Sequence, residues 1–97
     1  MKNMDREPQY KEKIQPHDLA KSFESAIKSK VSERFPTSSE DLSLLLDDEE
    51  GAYMSQEDPD TLCCFVVDRK NGFLYLVTGR FDIDRKQLEN LKADIVS

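Results

Sequence analysis

The 97-residue chain is predicted to fold as an α+β domain: an N-terminal helix, an antiparallel β-meander of three to four strands, and a C-terminal helix. Three observations lead there. Residues 61–82 read TLCCFVVDRKNGFLYLVTGRFD, two apolar, β-branched and aromatic runs around a polar turn, which is a hairpin pattern. Ahead of it, Leu19, Phe23, Ile27, Val31 and Phe35 recur every four residues, the spacing of one helical stripe. Behind it, Leu88, Leu91, Ile95 and Val96 follow a residue suited to capping a helix.

Taken in order, residues 1–15 are polar and charged and form an arm outside the domain, which spans 16–97. Pro16 suits the first position of a helix, and Asp18 places a carboxylate where the macrodipole favours it. Lys21, Glu24, Lys28, Lys30, Glu33 and Arg34 cover the side away from the apolar stripe. Pro36 pushes Phe35 out of the α region and ends the helix.

Residues 37–60 allow two readings. Thr37–Asp41 could cap a second helix that Gly51 stops, but Asp47, Asp48, Glu49 and Glu50 would then crowd its negative end. The alternative is a second, shorter hairpin of Leu42–Leu46 and Ala52–Ser55. It is preferred because Leu44-Leu45-Leu46-Asp47 through Gly51 repeats the layout of Phe65-Val66-Val67-Asp68 through Gly72, displaced by 21 residues. Leu42, Leu44 and Leu46 then face the core, with Ser43 and Asp47 in water.

In the main hairpin, Asp68 can accept amide hydrogen bonds at the turn entry and Gly72 supplies a positive φ. If Asp68 or Lys70 pairs with Phe73, one face carries Leu62, Cys64 and Val66 with Tyr75, Val77 and Phe81. The other carries Cys63, Phe65 and Val67 with Leu74, Leu76 and Thr78. A three-residue loop would shift the pairing by one and exchange the partners. Both faces are apolar, so both need cover. For the last element, Asp84 is the N-cap, Gln87 completes a capping box, and Ile83 packs on Leu88 as a hydrophobic staple. The helix–antiparallel strands–helix order is similar to that of the Alu-RNA-binding subunits of the signal recognition particle, a likeness of element order alone, with none of that family's motifs in the chain.

Composition bounds the function. A domain of about 80 residues buries only about 60–65% of its unfolded surface, so it has little material with which to cover a two-faced sheet. Charged residues are 35% of the chain and mean hydropathy is −0.69; with no membrane-length apolar run and no apolar segment after Met1, a cytoplasmic protein is predicted. Adjacent Cys63 and Cys64 point to opposite sides of a strand, which reads as two buried thiols in a reducing compartment.

Charge is blocked: residues 1–34 and 69–97 each carry +2, whereas residues 35–68 carry ten Asp/Glu and no Lys or Arg. Nucleic-acid binding rests on a positive surface, and this chain has the opposite. Setting Gly51 at the sixth place of a calcium-binding EF-hand loop puts Leu46 at its first ligand position, so that match fails. A nucleophile needs a base beside it, and the single histidine, His17, is remote in sequence from both thiols. No catalytic residue, cofactor or metal ligand is predicted.

The reading that follows is a non-enzymatic adaptor or regulatory subunit. It would assemble with a protein partner or with itself, as a dimer, through an apolar sheet face or edge. Phe65, Val67, Leu74 and Leu76 would carry the contact. A second candidate is a small acidic chaperone, immunity protein or inhibitor that binds a basic protein through residues 40–60, with Asp47, Asp48, Glu49 and Glu50 as its contact. A third is a metal- or thiol-responsive switch.

Overall fold

The computed structural model describes residues 15–46 and 51–96. Two helices, α1 (Pro16–Ser22) and α2 (Glu24–Arg34), are followed by a single 3-10 turn (Ser39–Asp41) and five strands. The strands are β1 (Leu42–Leu44), β2 (Ala52–Met54), β3 (Thr61–Asp68), β4 (Phe73–Asp82) and β5 (Gln87–Ile95). All pairings are antiparallel, and β1 and β2 lie end to end along one side of β3, so the sheet is four positions wide. The chain is an α+β fold.

The predicted N-terminal helix forms with a break at Phe23. Pro16 sits in its first turn and the Gln15 carbonyl accepts the Leu19 amide at 2.9 Å. The Ser22 hydroxyl bonds back to the Asp18 carbonyl at 3.0 Å, a competition with the helical ladder that bends helices. One residue later the Phe23 amide is shared between the Leu19 and Ala20 carbonyls, both at 3.2 Å, and α2 starts afresh. Leu19, Ala20, Ile27 and Val31 are buried from this pair, while Phe23 packs edge-on to Phe81 and Phe35 tilts against Tyr75 at 4.8 Å between centroids.

The main hairpin pairs Asp68 with Phe73 across a four-residue turn, which fixes the two residue sets predicted above. Leu62, Cys64, Val66, Tyr75 and Val77 face the helices and are buried together with Leu42, Ala52 and Ala93.

Three expectations are corrected. The C-terminal helix is a strand: residues 87–95 pair with β4, and the Asp84 amide donates to Asp82 instead of Asp84 capping a helix. This also removes the likeness in element order to the Alu-RNA-binding subunits, because no helix closes the fold among the described residues. The middle hairpin is absent too. Leu42–Leu44 and Ala52–Met54 do not pair with each other; both pair with β3, at residues 66–68 and 62–64 respectively. They are two halves of one edge strand. Phe65, at the junction, donates its amide to the Gly51 carbonyl at 2.9 Å and accepts from the Leu45 amide at 2.8 Å. The alternative helix over residues 38–50 shrinks to the 3-10 turn, started by Ser38, whose hydroxyl accepts the Glu40 amide at 3.3 Å.

The two hairpin turns are built alike. Asp68 Oδ1 accepts the Lys70 and Asn71 amides, each at 3.0 Å, and Gly72 follows with φ 75°. Asp82 Oδ1 accepts the Asp84 and Arg85 amides at 3.0 and 3.2 Å, and Lys86 follows with φ 56°. Asp82 pairs with Gln87 as Asp68 pairs with Phe73.

Candidate functional site

Strand alternation gives the sheet two sides, and the helices cover one. On the other side, register aligns rows across the strands. Val67 stands between Ser43 and Leu74; Phe65 is beside Leu76 and then Asp94; Tyr53, Cys63, Thr78 and Lys92 form the next row. Val96, whose amide donates to the Leu74 carbonyl at 2.7 Å, extends the first row. None of Phe65, Val67, Leu74 or Leu76 packs against the helix-side core, and no described element lies over them. The structure thus brings together the four apolar residues singled out in the sequence.

These four are half-buried. Tyr53 is 40% exposed and Val96 49%, and the Tyr53 ring lies 6.3 Å from that of Phe65 between centroids. Tyr53, Leu45 and Val96 were not legible as members of this patch. Their place depends on the split edge strand and on the strand nature of β5, neither of which the periodicity reveals.

The acidic candidates fare differently. Asp47, Asp48, Glu49 and Glu50 lie outside the described residues. Of the flanking acids, Glu40 and Asp41 stand before β1 and Glu57, Asp58 and Asp60 after β2, so the two halves of the edge strand hold them apart. Asp58 is engaged in its own turn, accepting the Asp60 amide at 3.2 Å and the Thr61 hydroxyl at 3.0 Å.

The titratable groups near the sheet do not resemble a reactive centre. The two cysteines are unpaired and buried on opposite faces, Cys64 beneath the helices and Cys63 under Tyr53. Burial pushes the Cys64 thiol up to about 12 and raises Cys63 as well, although Tyr53 draws Cys63 partly back. A nucleophilic thiol needs the reverse shift. His17 lies in the first turn of α1, far in sequence from both thiols. Among the described residues no group of three or more His, Cys, Asp or Glu is arranged to hold a metal ion.

Asp68 is the one fully buried acid among the described residues. Burial on its own would raise its carboxyl. The Asn71 side chain at 3.0 Å, the Asn71 and Lys70 amides and the Thr37 hydroxyl outweigh that and hold it below the ordinary carboxylate range. Thr37 itself is half-buried, with its Oγ1 shielded from water. Asp68 caps a turn; that role accounts for its burial. The Tyr75 hydroxyl is raised by burial and then by the nearby Asp68 charge.

Two cavities of about 290 and 450 Å³ flank α2 where it meets β5, lined in part by Lys30, Glu33 and Leu91. Their walls mix charge of both signs with a few aliphatic side chains, and no polar group is aimed into an enclosed space. Among the described residues no helix is long and apolar enough to cross a membrane. No protein-family model matches the chain, and comparison with curated proteins and with solved structures finds no match.

Proposed function

We propose that this chain is a non-enzymatic interaction module, an adaptor or regulatory subunit, that assembles with protein through the uncovered face of its sheet. The observation that supports the reading is the one-sided cover: a sheet apolar on both faces with helices on one only. Contiguous apolar patches of several hundred Å² on a monomer mark interaction surfaces. The face is favoured over the edges because both edges are blunted. One is divided between β1 and β2, and β5 carries Lys92 and Asp94 and a bulge at Asn90 with φ 56°. Interruption, charge and bulges are the devices by which edges resist strand addition.

The test is the native size of the protein in an extract of its source cells, for wild type and for Leu76→Lys. Leu76 lies directly opposite Asp94, so a lysine there gains a cross-strand partner and the fold is retained. Wild type should migrate above the 11.2 kDa of one chain and the variant at that mass. Identical migration of the two would remove the face from the assembly.

A further inference from the structure

We propose that Asn71 is a site of spontaneous deamidation, with the Gly72 amide as its nucleophile, and that Asp68 restrains the reaction while the β3–β4 turn is closed.

The chemistry lies within the chain. The Gly72 nitrogen attacks the side-chain carbonyl carbon of Asn71, the new C–N bond closes a succinimide ring, and the Cγ–Nδ2 bond breaks. Nδ2 leaves as ammonia, carrying the proton that Gly72 gives up. Water then opens the ring at either carbonyl, which leaves aspartate or isoaspartate at position 71. Water enters and ammonia leaves, with nothing oxidised or reduced. Asparagine is among the thermolabile residues, and a following glycine, having no Cβ, leaves the attacking nitrogen unshielded. Asn71 and Gly72 are both exposed, and nothing lies within 4 Å of where a Cβ on Gly72 would stand. Asn90, the other asparagine among the described residues, is the contrast. It too is exposed and has φ 56°, but Leu91 follows it, with a side chain packed against the core.

The fold opposes the attack at both of its ends. Gly72 must release the proton that it donates to the Asp68 carbonyl at 2.8 Å. The Asn71 carboxamide must turn away from Asp68 Oδ2, which its Nδ2 meets at 3.0 Å. Both restraints end on one residue. Asp68 is fully buried and also accepts the Asn71 and Lys70 amides at Oδ1, so side chain and backbone of residue 71 are held together. Opening the turn frees nucleophile and carboxamide at once.

Conversion then works against closing it again. A carboxylate oxygen replaces the Nδ2 donor, which sets a second negative charge beside a buried one. The isoaspartate product also adds a backbone atom inside a turn whose length sets Asp68 opposite Phe73. Either product weakens the hairpin on which Phe65, Val67, Leu74 and Leu76 stand.

Peptide mapping by mass spectrometry, after prolonged incubation of the full chain in mildly alkaline buffer, tests each part. In urea, position 71 should convert well ahead of Asn90, and Gly72→Ala should slow it. Conversion of the two asparagines at one rate would overturn the site. Without urea, Asp68→Ser should convert roughly ten- to a hundredfold faster than wild type, the change that losing one hydrogen bond to a charged group brings. Serine still accepts turn amides, so the hairpin forms. Ile27→Val, a buried position on α2 outside the turn, lowers stability and should keep the wild-type rate. An equal rise in both variants would assign protection to the whole domain and overturn the restraint by Asp68. Asn71→Asp should melt several degrees below wild type, and an unchanged Tm would overturn the consequence for the hairpin.

Discussion

Replacing Gly51 by alanine probes the junction that holds the edge strand together. A Cβ on residue 51 would overlap the backbone carbonyl oxygen of Leu45 and stand 2.6 Å from its carbon. Neither atom belongs to a side chain that can swing aside, so the main chain of β1 or β2 must give way. The contacts at risk are the two hydrogen bonds that Phe65 makes, one to each half of the strand. Each is worth about 0.5–1.5 kcal/mol, and overpacking strain adds typically about 1–3 kcal/mol. The expected loss is about 2–4 kcal/mol, a large share of the stability of a domain this size. At about 4–8 °C per kcal/mol, Tm by circular dichroism should fall by roughly 8–32 °C. The urea midpoint should drop with little change in slope. Gly72→Ala is the control. Gly72 has φ 75° and nothing lies within 4 Å of where its methyl group would stand, so only the cost of a left-handed alanine, about 1 kcal/mol, is expected. Equal losses for the two alanines would falsify the close backbone approach at Phe65.

Further expectations follow from the same geometry. Leu62→Ala, on the covered side, should cost about 2–5 kcal/mol in dilute solution, and Leu76→Ala, on the open side, well under half of that; similar urea midpoints would show that both sides are covered. Asp68 holds its proton less tightly folded than unfolded, so it contributes stability above its ordinary value of 3.8 that is lost as pH falls below it; in acid titrations followed by urea melts, Asp68→Asn should flatten this decline. Cys64 works in the other direction: its stability is fully present below pH 9.0 and lost as pH rises toward about 12, and Cys64→Ala should lose less over that window, Tyr75 accounting for part of what remains. Lys86→Gly should leave Tm unchanged or raise it by a few degrees, because glycine relieves the left-handed backbone at the second turn; a clear fall would argue against that conformation.

How much of this could be read beforehand depended on whether each signal was local. The β3–β4 hairpin was legible because Asp68 and Gly72 announce its turn and because the register then assigns Phe65, Val67, Leu74 and Leu76 to one side. The β4–β5 hairpin uses the same turn but carries Lys86 where the first has glycine, so the positive φ left no trace in composition. The helical spacing of Leu88 and Leu91 also has a strand origin. Between Arg80–Glu89 and Thr78–Lys92 the register slips, so that Asn90 and Leu91 together oppose Gly79. The extra residue turns both leucines inward three positions apart, and the missing side chain of Gly79 gives them room, since a Cβ there would come within 2.8 Å of Leu91. The middle segment failed for another reason: β1 and β2 resemble a hairpin in pattern, but their partner is β3, and only tertiary pairing shows that. For the candidate site, the apolar residues of the central strands were legible, and Tyr53, Leu45 and Val96 from the flanking strands were not.

The division of the edge strand has a further consequence for how this chain can change. Each half is registered against β3 by its own hydrogen bonds, β1 through residues 66–68 and β2 through 62–64. Neither alignment is measured through the stretch that joins them. A tag, a longer connection or a different charge could therefore be spliced in between positions 46 and 51 without displacing any residue of the sheet, so long as the glycine at the point of return is kept.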